Sequence, residues 1–86
     1  MRILFSQIAW NEYTNWQQED KKVLKKINQL IKDIQRNGVD VGIGSPEPLK
    51  YQFSGYWSRR ITIEHRLVYK IANDDTLYIA KCEGHY

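Results

Sequence analysis

The most regular pattern of hydrophobic and polar positions runs from Gln18 to Arg36 and predicts an amphipathic helix. Its apolar residues recur at the i, i+3, i+4 and i+7 spacing that places them on one helix face: Val23, Leu24, Ile27, Leu30, Ile31 and Ile34. Glu19 and Asp20 suit the positive N-terminal end of the helix dipole. Gly38 follows as a left-handed stop.

A short strand and a shorter helix are predicted ahead of this segment. Residues 3–5 form an apolar run, and the hydroxyl of Ser6 after it can accept a hydrogen bond from a free amide of a following helix. Ala9, Tyr13 and Trp16 then fall at helical spacing, which predicts a helix with one aromatic face turned inward.

The second half of the chain has the composition of a sheet. Residues 38–48 hold three glycines and two prolines, which predicts a loop. Aromatic and β-branched residues after it predict four strands: Leu49–Phe53, Trp57–Ile63, Arg66–Ile71 and Thr76–Cys82. The expected fold is α+β, a single domain over residues 1–86 in which an N-terminal strand and two helices pack with an antiparallel sheet.

Alternation in the middle strands predicts one face toward the helices and one face open to solvent. The apolar set comprises Ile61, Ile63, Leu67, Tyr69 and Ile71. The open set includes three cations, Arg60, Arg66 and Lys70. With Tyr51, Tyr56 and Trp57 nearby, this face could bind RNA through base stacking and phosphate contacts. An ordinary solvated sheet face would show the same alternation.

Composition narrows the class of protein. With 86 residues, 42% hydrophobic and 27% charged, the chain suits one globular domain and is too short for a second catalytic domain or a Rossmann-sized cofactor site. A net charge of +3 gives a mild bias toward polyanions. The single cysteine, Cys82, cannot form an intrachain disulfide, so we expect a cytoplasmic protein with no signal peptide and no membrane span.

Glu47, His85 and Tyr86 are the candidates for chemistry. Glu47 lies between Pro46 and Pro48, which stiffen the segment; it could be a general base or simply the end of a loop. Histidine is the side chain suited to proton transfer at neutral pH, so His85 could transfer a proton at an RNA phosphate, although a terminal histidine is often merely exposed.

Metal and nucleotide chemistry find little support. Cys82 and His85 have a spacing seen among metal ligands, but two histidines and one cysteine cannot fill a tetrahedral zinc site. His65 lies beside a predicted turn and is interpreted as structural or exposed. There is no Walker loop, GxGxxG fingerprint or serine nucleophile motif. We therefore expect no metal and no cofactor.

Several motifs, in the same order and at the same spacing, resemble the YoeB (Txe) toxin family of the RelE/ParE superfamily. They are SPEPLK at residues 45–50, SGYWSRRI at 54–61, EHRLVY at 64–69 and HY at 85–86, and related segments in the helices extend the similarity over nearly the whole chain.

The resemblance implies a RelE/ParE-like fold and an endoribonuclease that cuts mRNA in the ribosomal A site. By motif position, Glu47 would take the proton from the ribose 2′-hydroxyl and His85 would protonate the leaving 5′-oxygen. Tyr86 would help to orient the phosphate. The charge that gathers on the phosphorane oxygens would be stabilised by three cations, Arg66, Arg60 and Lys50.

The resemblance also implies partners: a YefM (Phd)-type antitoxin, the 70S ribosome with its mRNA, and a second copy of the toxin. The sequence departs from the family in a loop about two residues longer before Glu47, where Val41 and Ile43 replace more polar residues, and in Glu83, where a basic residue is usual. The alternatives are a non-catalytic ParE-like toxin that binds DNA gyrase and a plain RNA-binding module.

Overall fold

Two helices pack on one face of a five-stranded sheet in the computed structural model, which describes all 86 residues. The elements in chain order are β1 (Arg2–Phe5), α1 (Gln7–Glu19), α2 (Lys21–Asn37), β2 (Glu47–Pro48), β3 (Trp57–Arg60), β4 (Arg66–Ala72) and β5 (Thr76–Lys81). The sheet order is β1-β5-β4-β3-β2, with β1 parallel to β5 and the other neighbours antiparallel. The predicted α+β class is confirmed, in a mixed sheet. Neither helix is long and apolar enough to cross a membrane.

Local capping explains where the helices begin and end. The Ser6 hydroxyl accepts a hydrogen bond from the Ala9 amide and donates one to the Ala80 carbonyl of the sheet, so it caps α1 as predicted. The predicted start of the second helix at Gln18 is wrong. Asp20 caps α2 by accepting from the amides of Lys22 and Val23, and the residues before it belong to α1.

Two of the predicted strands differ from the structure. Leu49–Phe53 is not a strand: the Leu49 amide still bonds the Tyr56 carbonyl, but Tyr51 takes a φ of 59° and residues 51–53 form a 3-10 turn. The strand predicted as Trp57–Ile63 ends at Arg60. The amides of Ile61 and Thr62 both bond the His65 carbonyl in a tight turn that leaves Ile63 87% exposed, so Ile63 is not a core residue.

The hydrophobic core lies between the helices and one face of the sheet. The α2 residues of the predicted apolar stripe are buried, apart from the half-buried Leu24. Ala9 and Trp16 of α1 join them, as do Leu67, Tyr69, Leu77 and Ile79 of the sheet, and Ile61 and Cys82, which directly follow β3 and β5. At roughly 25 cal/mol per Å² of apolar surface removed from water, this layer supplies most of the stabilisation of the fold.

Cys82 is a fully buried core residue whose thiol contacts the Ala9 carbonyl. Burial raises the pKa of the Cys82 thiol to about 12, with the negative charges of Glu12 and Glu83 acting in the same direction. The thiol is therefore protonated at neutral pH and packs as a small apolar group.

A fully buried arginine, Arg59, ties the loop of residues 38–45 to the core. Its Nε donates to the Tyr69 hydroxyl at 2.8 Å, and its Nη1 donates to the Asp33 carboxylate at 2.5 Å. The remaining donors bond three backbone carbonyls of the loop, those of Gly38, Val41 and Ile43, at 2.8–3.1 Å. Burial alone would raise the pKa of Asp33, but hydrogen bonds from Arg59 and the Ile43 amide outweigh it and hold that pKa below its ordinary value.

Glycine is required where the loop passes this ion pair. Gly42 has a φ of 129°, and a Cβ there would overlap the Asp33 carboxylate and lie 2.8 Å from Arg59 Nη1. The close approach of the backbone to the buried charges therefore excludes any larger residue.

Replacing Arg59 by Met should lower the free energy of unfolding by about 3–5 kcal/mol, because the partly buried Asp33 carboxylate and three loop carbonyls lose their donor. Urea unfolding followed by circular dichroism measures this. The control is Arg2→Met, which removes an ion pair with Asp74 at 2.6 Å between exposed side chains and should leave the midpoint close to that of the unmodified protein. Equal midpoints for the two variants would contradict the role of Arg59.

The native Cys82 thiol should react with a disulfide reagent at pH 8 at least about a hundredfold more slowly than in the urea-unfolded chain, because the thiol is fully buried and its raised pKa lowers the thiolate fraction. Absorbance of the released chromophore gives both rates. Rapid stoichiometric labelling of the folded protein would show that Cys82 is accessible.

Candidate active site

The sheet face that points away from the helices carries the candidate residues. Cross-strand partners share a face, and Arg60 of β3 lies directly opposite Arg66 of β4. Lys70 has the same parity as Arg66 along β4 and therefore lies on the same face. The predicted grouping of these three cations is confirmed. Arg60 is exposed, whereas Arg66 and Lys70 are half-buried.

Glu47 joins the same face through the short strand β2. Glu47 pairs with Ser58, and Ser58 pairs with Val68. Ser58 lies two residues before Arg60 and therefore on the same face, so Glu47 is displaced by about 7 Å along the strand direction from the pair Arg60 and Arg66. The two prolines around Glu47 fit here because β2 is an edge strand, where missing donors are tolerated.

The C-terminal residue reaches across to this strand. The Tyr86 hydroxyl donates a hydrogen bond to Glu47 Oε1 at 3.1 Å, and its ring packs edge-on against Phe53 at 6.3 Å between centroids. Together with residues 47–53, Tyr86 lines an open cleft of about 310 Å³ that also includes Lys50. The structure thus brings Glu47, Lys50 and Tyr86 together.

His85 lies beside this cleft but does not line it. Its Nε2 lies 3.3 Å from the Ile63 carbonyl in the turn between β3 and β4. A carbonyl only accepts, so this contact places the proton on Nε2 and leaves Nδ1 as the site of the second proton of the imidazolium form. His85 is exposed, which leaves the ring accessible to a substrate.

The facing arginines create a positive site without an acidic partner. Like charges directly opposite on a sheet repel each other, and no ion pair involves either side chain. Arg66 Nη1 is anchored on the Thr62 carbonyl at 3.1 Å, and the Arg60 amide bonds the Gly44 carbonyl of the loop before Glu47. An anion such as a phosphate would relieve this repulsion.

One prediction for this face is wrong. Trp57 pairs with Tyr69 and therefore points toward the helices, where it packs against the core. Tyr56 does lie near the open face, with its ring 4.8 Å from Lys70 Nζ. Tyr56, Lys70 and Tyr78 line a larger groove of about 520 Å³. The only acid that lines this groove, Asp74, is paired with Arg2, and no histidine lines it. The smaller cleft is therefore the better candidate for proton transfer.

Sequence reasoning missed Lys81. Simple alternation in β5 places Lys81 on the core face with Leu77 and Ile79. A register shift opposite Val68 and Tyr69 turns Lys81 to the open face, opposite Val68. Its ammonium donates to the Glu83 carbonyl at 2.8 Å and adds a cation at the base of the C-terminal segment. No signal in the sequence marks this shift.

Of the two interpretations of His65, structural or exposed, the structure supports the first. His65 is half-buried, its ring meets Trp16 edge-on at 4.9 Å, and its Nδ1 accepts a hydrogen bond from the Gly84 amide. No three of the His, Cys, Asp and Glu side chains are grouped as metal ligands would be.

Comparison with known proteins gives one consistent family. The profile of the YoeB-like toxin of bacterial type II toxin-antitoxin systems matches residues 5–86. The toxin YoeB of Escherichia coli K12 is 54% identical over 86 residues, which cover the whole of both chains.

Solved structures agree in fold. The YoeB-YefM complex from Staphylococcus aureus contains a chain that is 50% identical and superimposes with a TM-score of 0.92, covering 100% of this chain and 98% of that one. A YoeB dimer from the same organism is 52% identical, with the same TM-score and coverage.

Proposed function

Because the chain belongs to the YoeB-like toxins of bacterial type II toxin-antitoxin systems, we propose that it is a ribosome-dependent endoribonuclease that cuts mRNA in the A site and so stops translation. The observation that carries the proposal is the hydrogen bond from Tyr86 to Glu47, which joins the C-terminus to a carboxylate on a cationic sheet face. The reaction would take place in the cytoplasm, where translation occurs.

In the proposed reaction Glu47 acts as general base. Its carboxylate removes the proton from a ribose 2′-hydroxyl, the 2′-oxygen forms a bond to the adjacent phosphorus, and the bond from phosphorus to the 5′-oxygen breaks. The products are a 2′,3′-cyclic phosphate and a 5′-hydroxyl end. Glu47 is exposed, and its hydrogen-bond partner is the neutral hydroxyl of Tyr86. This supports the role of base, because no cation is paired with the carboxylate that has to accept the proton.

His85 supplies the proton that the leaving 5′-oxygen needs. The contact of Nε2 with the Ile63 carbonyl supports a ring orientation in which Nδ1 is free to carry and donate the second proton. Base and acid come from separate segments and can lie on opposite sides of the scissile phosphate, which an in-line displacement requires.

Negative charge on the phosphorane oxygens is stabilised by Arg66, with Arg60 and Lys50 contributing. Arg66 is anchored by its own hydrogen bond to Thr62 and faces Arg60 across the sheet, so the donors are in place before the charge develops. Tyr86, which lines the cleft and bonds Glu47, helps to orient the phosphate. With cations and the acid–base pair supplied by the chain, the proposed reaction is independent of metal.

The proposed partners follow from the relatives. Solved structures of similar chains include a complex with YefM and a dimer, and we assign to this chain a YefM-type antitoxin and a homodimeric state. The ribosome is proposed as the element that orders the mRNA, since an open cleft of about 310 Å³ offers few walls to hold a flexible substrate.

Glu47→Gln and His85→Ala should each lower cleavage by about 10²- to 10⁴-fold, the usual contribution of one general acid or base. Primer extension on a defined mRNA with 70S ribosomes measures the A-site cut. Glu19→Gln, an exposed carboxyl at the end of α1, is the matched control and should cleave like the unmodified protein.

Cleavage by both site variants at the unmodified rate would contradict the assigned roles. Translation arrest without a cut by any of these proteins would indicate a binding toxin. A supercoiling assay with DNA gyrase would then test the ParE-like alternative.

A further inference from the structure

The C-terminal tail, residues 82–86, leaves the sheet after β5 and is held by contacts from distant parts of the chain. The Cys82 amide donates to Glu12 Oε1 at 2.7 Å, and Trp16 Nε1 donates to the Cys82 carbonyl at 3.0 Å. Two residues on, the Gly84 amide donates to His65 Nδ1 at 2.8 Å and the Gly84 carbonyl accepts from the Arg66 amide at 3.0 Å. Cys82 and Gly84 are therefore each held at both their amide and their carbonyl.

Gly84 is the point at which the direction of His85 and Tyr86 is set. It has a φ of 74°, so the chain turns there in the left-handed region. Of the two hydrogen bonds made by Gly84, the one to His65 is the only one to a side chain, and the other is backbone to backbone. A substitution at residue 65 can therefore change the Gly84 orientation without removing a backbone pairing.

The His65 ring is itself oriented by its neighbours. It packs edge-on against Trp16, the same side chain that bonds the Cys82 carbonyl. Acceptance from an amide requires an unprotonated Nδ1, so the proton of the neutral ring is on Nε2. The residue after it is Arg66, and the turn before it presents the Ile63 carbonyl to His85. One short segment thus contacts the tail at two places and carries the proposed phosphate-binding arginine.

We propose that His65 is a positioning residue whose Nδ1 holds the Gly84 amide and thereby places His85 and Tyr86 relative to Glu47 and Arg66. The inference rests on the proposed nuclease function. His65 does not touch the substrate. It acts through the tail, and the loss of its acceptor displaces the proton donor and leaves the core intact.

Three substitutions separate this role from simple packing. Asn at position 65 keeps an acceptor near the place of Nδ1, Gln puts its acceptor farther out, and Leu keeps the contact with Trp16 but has no acceptor. We expect ribosome-dependent cleavage to fall about 100-fold in His65→Leu and His65→Gln, as displacements near 1 Å do. His65→Asn should stay within about fivefold of the unmodified protein.

Two further readouts distinguish positioning from destabilisation. Ribosome affinity should be unchanged in all three variants, so that the loss appears in the rate at saturation. The Gly84 amide, followed by NMR hydrogen exchange, should exchange faster in His65→Leu than in His65→Asn, while the amides of β4 stay protected in both. His65→Gln serves as the acceptor-displaced variant if His65→Leu does not fold.

Equal cleavage by His65→Leu and the unmodified protein would overturn the inference, as would an equal loss in His65→Asn and His65→Leu with equal thermal stability. If the unmodified protein itself does not cut, the proposed function fails, and Gly84 exchange alone decides the positioning role. Fast exchange in the Leu variant only would support it, and identical exchange in the Leu and Asn variants would refute it.

Discussion

The buried guanidinium of Arg59 is the interaction on which the first half of the candidate site depends. The loop of residues 38–45 contributes little to the core, and its hydrophobic side chains Val41 and Ile43 are exposed. Val39 is the one hydrophobic side chain of the loop that packs against the core cluster, so burial of apolar surface contributes little to holding the loop. Arg59 holds it with donors to three loop carbonyls and with an ion pair to Asp33. Since Glu47 comes shortly after this loop, the position of the proposed base depends on the buried guanidinium of Arg59.

The open face of the sheet carries a charge pairing that does not favour stability, which is consistent with the proposed binding of an anionic substrate. Arg60 and Arg66 face each other across β3 and β4 with no acid between them, a pairing that repulsion disfavours until an anion binds. The stabilisation comes from the other face, where α1 and α2 cover the core. The parity of the residues thus separates the two faces of one sheet, with apolar side chains toward the helices and Arg60, Arg66 and Lys70 toward the side where the proposed substrate would bind.

Much of the fold could be predicted because its signals are local. The stripe of α2, the Ser6 cap and the alternation around Arg66 each depend on residues a few positions apart. Leu49–Phe53 failed as a strand because aromatic content does not reveal that Tyr51 turns left-handed. The place of Lys81 on the open face could not be predicted, because the register shift that turns it there depends on the partner strand. Parity with Ile61 does place Arg59 on the core face, but the carbonyls that satisfy it come from a loop about twenty residues away.

The candidate site shows the same division between local and distant signals. The resemblance supplied roles for Glu47 and His85, but no local pattern predicts that residues 39 positions apart, Glu47 and Tyr86, share a hydrogen bond. Glu47 is fixed by strand pairing and by the loop, whereas the tail depends on a few hydrogen bonds worth about 1 kcal/mol each. The end of the site that carries His85, the proposed acid, is therefore held more weakly than the end that carries Glu47. If His65 positions the tail as proposed, its substitution shifts His85 without unfolding the protein, because the contact it removes is a single hydrogen bond outside the core.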